Sequence, residues 1–170
     1  MPFREIVSIP DPVLRRKARP VTDFGPALQT LVEDMIETMR QAPGVGLAAP
    51  QVGESLRLIV VEYPVDDEEE DAPKKLFVVA NPEIKEISTE SEMGIEGCLS
   101  LPGLQGEVER ALAVTVRGRT RRGQPIKIKA RGWMARIFQH EIDHLEGVVF
   151  TDRATRVWKP APDEPVLDNV

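Results

Sequence analysis

The chain has two histidines, His140 and His144, which stand four residues apart in His140-Glu141-Ile142-Asp143-His144. On a helix, that spacing puts both imidazoles on one face about one turn apart, so two ring nitrogens reach a single metal ion with Glu141 beside it. A histidine that merely fills a core needs no such partner, and the pair is therefore read as a metal site. A hydrolytic site of this type needs a third protein ligand and an open position for water. Two downstream answers fail. One would place a third histidine where the chain has Phe150. The other needs a glutamate on a later helix, yet Glu164 lies between Asp163 and Pro165 in a Pro-rich tail.

Upstream lies the single cysteine, Cys98, within Glu96-Gly97-Cys98-Leu99-Ser100. A lone cysteine by itself reads as a small buried hydrophobe. Beside a two-histidine site that lacks a ligand, it becomes the best candidate for the third donor. One thiolate and two neutral imidazoles around a divalent ion leave a single net positive charge, enough to lower the pKa of a bound water. Zn²⁺, Fe²⁺, Ni²⁺ and Co²⁺ all suit those donors. A third segment, Gly44-Val45-Gly46-Leu47-Ala48-Ala49-Pro50-Gln51, is built of small residues and ends in an amide that can donate to a growing oxyanion without changing the charge at the metal. A tight helix-to-strand turn explains its glycines about as well as substrate access does. It is not a dinucleotide-binding loop, because a helix precedes it rather than a strand.

These residues need elements to carry them. Leu28, Leu31, Val32, Met35, Ile36 and Met39 recur at helical spacing, which predicts a helix from Pro26 to Gln41 stopped by Pro43 and Gly44. Short apolar runs then predict strands over Leu56 to Tyr63, Leu76 to Asn81 and Ala111 to Arg117, with Ile126 and Ile128 alternating with lysines in a further strand. Gly123, between the last two runs, suits a hairpin, so the sheet is expected to be antiparallel. A second helix is expected over Trp133 to Leu145, ended by Gly147 and carrying the paired histidines.

The chain has 22 Lys and Arg against 28 Asp and Glu. The excess of six is the run Asp66 to Asp71, and without it the charges balance. That balance supports no basic face for sequence-specific nucleic-acid binding, and the run reads as a solvated surface insert over residues 64–75. No stretch reaches the roughly 18 apolar residues of a membrane span. One cysteine makes no internal disulfide, so the cytoplasm is the expected compartment. With no repeat and no linker, residues 1–170 read as one domain ending in a Pro-rich tail over 158–170.

Taken in order, Gly44 to Gln51, Glu96 to Ser100 and Gln139 to His144 resemble the motifs of the peptide deformylases, of the forms G-x-G-x-A-A-x-Q, E-G-C-L-S and Q-H-E-x-D-H. The similar framework covers most of residues 1–150. The resemblance implies an α+β fold in which antiparallel sheets pack around a central H-E-x-x-H helix, with a further helix near the N-terminus. It also implies hydrolysis of the N-formyl group from the first methionine of nascent polypeptides, with release of formate.

Carried over by position, Cys98, His140 and His144 are the implied metal ligands, Glu141 the general base and acid, and Gln51 with the backbone N–H of Leu99 the oxyanion donors. Fe²⁺ is the metal the resemblance favours. Val45, Gly46 and Gly97 are expected to line the peptide cleft, and Trp133 and Ile137 to wall a methionine pocket. Core packing explains Trp133 about as well as pocket lining, and explains Ile137 better. The chain departs from some family members in having no arginine between Leu101 and Gln105, and in a Pro-rich tail where those members are expected to carry a long C-terminal helix associated with ribosome docking. Transient ribosome contact is thus left open. Two rival readings also remain: a peptidase of the same metal chemistry, and a structural metal module closed by a fourth ligand.

Overall fold

The computed structural model describes residues 4–64 and 72–162. The acidic run and Pro165 lie outside the described residues. Helix α1 (Pro26–Gln41) forms as its periodicity predicts, with Leu28, Leu31, Val32, Met35, Ile36 and Met39 all buried. Five strands form one antiparallel sheet: β1 (Gly46–Ala48), β2 (Leu58–Pro64), β3 (Lys74–Ile87), β6 (Ala113–Arg119) and β7 (Pro125–Arg131), in the order β1-β2-β3-β6-β7. A second antiparallel sheet has the order β4-β5-β8, built from β4 (Ser91–Gly97), β5 (Gln105–Ala111) and β8 (Arg156–Trp158). Helix α2 (Gly132–Leu145), the one-turn helix α3 (Phe150–Arg153) and two short 3₁₀ turns, Pro12–Arg15 and Ala49–Val52, complete the described elements.

Strand parity explains the layering. On β2, Leu58 and Val60 pack with the α1 stripe, whereas Ile59 and Val61 pack with Ile137, Phe138 and Leu145 of α2. Successive side chains of a strand point to opposite faces, so a continuous apolar run must be covered on both sides, here by one helix on each. The other side of α2 meets the smaller sheet. Gln139 substitutes for a strand there: its Nε2 donates to the carbonyl of Ala111 at 2.9 Å and its Oε1 accepts from the Ala111 N–H at 3.0 Å. This is the expected α+β arrangement, with the histidine-bearing helix held between antiparallel sheets.

Several boundaries differ from the sequence expectation, each for a physical reason. The strand expected to stop at Asn81 continues to Ile87, because Asn81 takes a left-handed φ of 52° and the register slips there. The result is a bulge, which bends a strand without ending it. Gly46 to Ala48, read as part of a turn, pairs with β2 in the register Gly46↔Val61 to Ala48↔Ile59. The β4–β5 hairpin had no expected strand, since its buried positions include Glu96, Gln105 and Arg110 and show no apolar alternation. Within the expected insert, Pro64 and Lys74 are already strand residues and pair with each other. The tail begins later than residue 158, because Arg156 to Trp158 are paired with β5.

Candidate metal centre

Strand β7 runs straight into α2, and the reversal falls on Gly132, whose φ of +60° suits a residue without a side chain. That corner aims the histidine face of α2 at the end of β4, where Cys98 follows directly. One ligand atom from each of Cys98, His140 and His144 falls within 4.8 Å of the others, and all three residues are buried. Sγ of Cys98 is 3.4 Å from Nε2 of His144, and the two imidazole centroids are 5.0 Å apart.

The hydrogen bonding around this trio is incomplete in a telling way. His140 Nε2, His144 Nδ1 and both carboxylate oxygens of Glu141 are buried without a hydrogen-bond partner. An unsatisfied buried polar group costs on the order of 1–3 kcal/mol, so four in one place mark a site built around a guest. A thiolate with two imidazoles, each with a buried and unpartnered nitrogen, fits a divalent metal ion. The trio is a site able to hold one.

The electrostatics follow from burial and neighbours. Burial pushes the Glu141 carboxyl up to about 7, against the opposing pull of the His140 charge. Burial and the nearby positive charge of His140 and Arg110 hold His144 well below the ordinary imidazole value. Burial also works against a charged His140, but the neighbouring Cys98, Glu96 and Glu141 prevail and push it up to about 10. Glu96 too is disfavoured as an anion by burial, yet bonds from Arg110 and His140 keep it well below the usual carboxylate range. A buried carboxyl near neutrality beside a metal-binding trio is the setting in which proton transfer is useful.

Of the residues singled out from sequence, Gln51 lies against the trio. Its Nε2 donates to Ser100 Oγ at 3.1 Å and points at Cys98 Sγ at 3.6 Å, while its Oε1 accepts from the Ala48 N–H at 3.0 Å. Gly46 is in direct contact with Glu141. Gly97 closes β4 opposite Gln105, and Leu99 is half-buried next to Cys98. Ile137 is fully buried in a core cluster, and Val45 and Trp133 pack half-buried against the same cluster. A cavity of about 250 Å³ reaches Cys98 between Leu99, Pro102, Leu104 and Pro160.

Sequence reasoning missed the charged network behind the trio. Glu96 accepts from Arg110, Arg136 and His140, and Arg110 also donates to Asp143. Glu96 stood in view, two residues before Cys98. A histidine that ligates a metal usually donates its other nitrogen to a carboxylate, and that rule was the available signal.

The family profile described as polypeptide deformylase matches residues 3–159. A peptide deformylase of Desulforudis audaxviator is 48% identical over 155 residues, covering 91% of this chain and 96% of its own length. Among solved structures, the peptide deformylase of Thermotoga maritima superposes with a TM-score of 0.82 at 44% identity, covering 91% of this chain and 99% of its own. A class I type b peptide deformylase from Acinetobacter baumannii, solved with Met-Ala-Ser bound, gives a TM-score of 0.82 at 40% identity, covering 90% and 99%.

Proposed function

This chain belongs to the polypeptide deformylase family, and from that premise we propose how its residues divide the work. It is a metal-dependent hydrolase that removes N-formyl groups. We assign its substrate as the N-formyl-methionyl end of nascent polypeptides, a reading supported by the Met-Ala-Ser bound to the Acinetobacter relative.

Cys98, His140 and His144 would hold one divalent ion, Fe²⁺ in the cell, with Zn²⁺, Ni²⁺ or Co²⁺ as substitutes. When bound, such an ion would polarise the formyl carbonyl and make water a nucleophile near neutral pH. Glu141 accepts the proton of the attacking water. Water oxygen bonds to the formyl carbon, the carbon–nitrogen bond breaks, and Glu141 returns the proton to the departing amine, so formate and a free N-terminus leave. Nε2 of Gln51 and the backbone N–H of Leu99 serve the negative charge that grows on the formyl oxygen. Val45, Gly46 and Gly97 flank the peptide, and Trp133 with Ile137 forms the apolar side that receives methionine. A thiolate ligand suits a reducing compartment, in keeping with a cytoplasmic site of action.

The observation that carries this reading is the buried, unpartnered Glu141 carboxylate beside three converging donors. Only three donors form the group among the described residues, a pattern that favours a catalytic over a closed structural site. Cys98 as the third donor argues against the peptidase with a late carboxylate. The test is formate release from N-formyl-Met-Ala-Ser by protein loaded anaerobically with Fe²⁺, beside Glu141→Gln. Turnover should fall by roughly 10²–10⁴-fold in the variant with metal content unchanged. Absence of formate from the loaded parent would overturn the assignment.

A further inference from the structure

The row of polar side chains that α2 turns toward the β4–β5 hairpin begins before His140. Arg136 stands four residues earlier, one turn back on the same face. Both residues grip Glu96. Nη1 of Arg136 donates to Oε2 at 2.7 Å, and Nδ1–H of His140 donates to Oε1 at 2.8 Å. Arg110 donates to the same two oxygens, Nε to Oε2 and Nη2 to Oε1, each at 2.9 Å. Each oxygen thus accepts two bonds and its lone-pair sites are filled.

Arg136 is itself pinned. Its Nη1 and Nη2 donate to the carbonyls of Val108 and Glu92, each at 2.8 Å, on the two paired strands of the hairpin, and its Cζ lies 5.4 Å from the Trp133 ring. The side chain is 5% exposed. Gly94 leaves room for it, since a Cβ there would stand 2.6 Å from Cζ and 2.7 Å from Nη2 of Arg136. Arg110 holds the same carboxylate from the sheet side, and its Nη1 reaches Asp143 of α2 at 2.7 Å. Arg136 and His140 share one helix, so Glu96 is caught by two successive turns and ties the imidazole to its own backbone.

We propose that Arg136 is a positioning residue of the metal centre: by fixing Glu96 it holds the His140 ring in the rotation and tautomer that reserve Nε2 for the ion, with Gly94 kept bare to admit it. This rests on the reading of Cys98, His140 and His144 as metal ligands. Metal-ligating histidines need such partners to set orientation, and loss of one typically weakens affinity by about 10–100-fold.

The test measures Co²⁺ affinity by anaerobic competition with a chromophoric chelator, with the Co²⁺–thiolate absorption as a second readout. Arg136→Met should weaken Co²⁺ binding by roughly 10–100-fold and shift that absorption, with Arg136→Lys recovering part of the loss. Gly94→Ala, which pushes the guanidinium aside, should move affinity in the same direction. In a Glu96→Gln background, adding Arg136→Met should change affinity by less than about twofold, because the two act in series. Circular dichroism of the metal-free proteins reads folding separately. A purely structural Arg136 would lower the melting temperature and leave Co²⁺ affinity at the parent value, overturning the proposal, as would full additivity with Glu96→Gln. If Arg136→Met does not fold, Gly94→Ala decides. A folded parent that holds no Co²⁺ would overturn the metal reading and this inference together, whereas a parent that binds with variants unchanged overturns this inference alone.

Discussion

The Glu141 carboxylate lies directly over Gly46, so that a Cβ at that position would stand 2.6 Å from Oε2 and 3.0 Å from Cδ of the glutamate. Strand β1 therefore fixes where the acid of α2 can sit, and it does so through the absence of a side chain. Gly46 pairs with Val61 in the sheet and cannot retreat without breaking that ladder.

Gly46→Ala is accordingly expected to displace the Glu141 carboxylate while sparing the three metal donors. Turnover should drop by roughly 10²-fold, the cost of about 1 Å of misplacement at a reacting group. Parallel kinetics and metal analysis would check this. A variant with parent-like kcat would show that Glu141 has slack the structure does not suggest.

Cys98→Ser keeps the size of the side chain but replaces a soft thiolate with a hydroxyl that stays protonated at neutral pH. Metal content after dialysis should fall sharply, and with it formate release. Equal metal content in parent and variant would mean that another residue completes the donor set.

Asn81 offers a test of the bulge. Its Oδ1 accepts from the Val21 N–H at 2.8 Å, its Nδ2 donates to the Val21 carbonyl at 3.0 Å, and its φ is 52°. Asn81→Gly loses the two bonds and keeps the conformation, whereas Asn81→Ala loses both. Urea unfolding should show each variant destabilised, by about 1–3 kcal/mol, with alanine the worse. A reversed order would assign the cost to chain entropy instead of backbone strain.

A pH dependence follows at the end of α1. Arg40 donates to Glu62 on β2 at 3.0 and 2.8 Å, and that bonding, followed by the arginine charge, holds the Glu62 carboxyl below its ordinary value despite partial burial. A carboxyl depressed on folding stabilises the protein at pH values above its unfolded pKa and loses that contribution as pH falls through the folded one. Glu62→Gln should thus cost about 0.2–1 kcal/mol at neutral pH, in keeping with a half-exposed pair, and nothing in acid. Urea unfolding of both proteins from pH 7 down to pH 3 would show the two stabilities converging, and a constant gap would contradict it.

Local patterns in the sequence determined much of this protein. The α1 stripe, the apolar β2 run and the His140–His144 spacing are statements about period, and period survives translation into structure because helices and strands repeat regularly. Cys98 was legible because the chain holds no other thiol. The β4–β5 hairpin was not, since its inward positions carry Glu96 and Arg110, and charge is at home there only when its partners are. Those partners are 14, 40 and 44 residues from Glu96 in the chain. The need for bare backbone at Gly46 and Gly94 likewise depends on which side chain arrives from α2. Contacts of that range have no period to betray them, and only the packing of one helix between two sheets decided them.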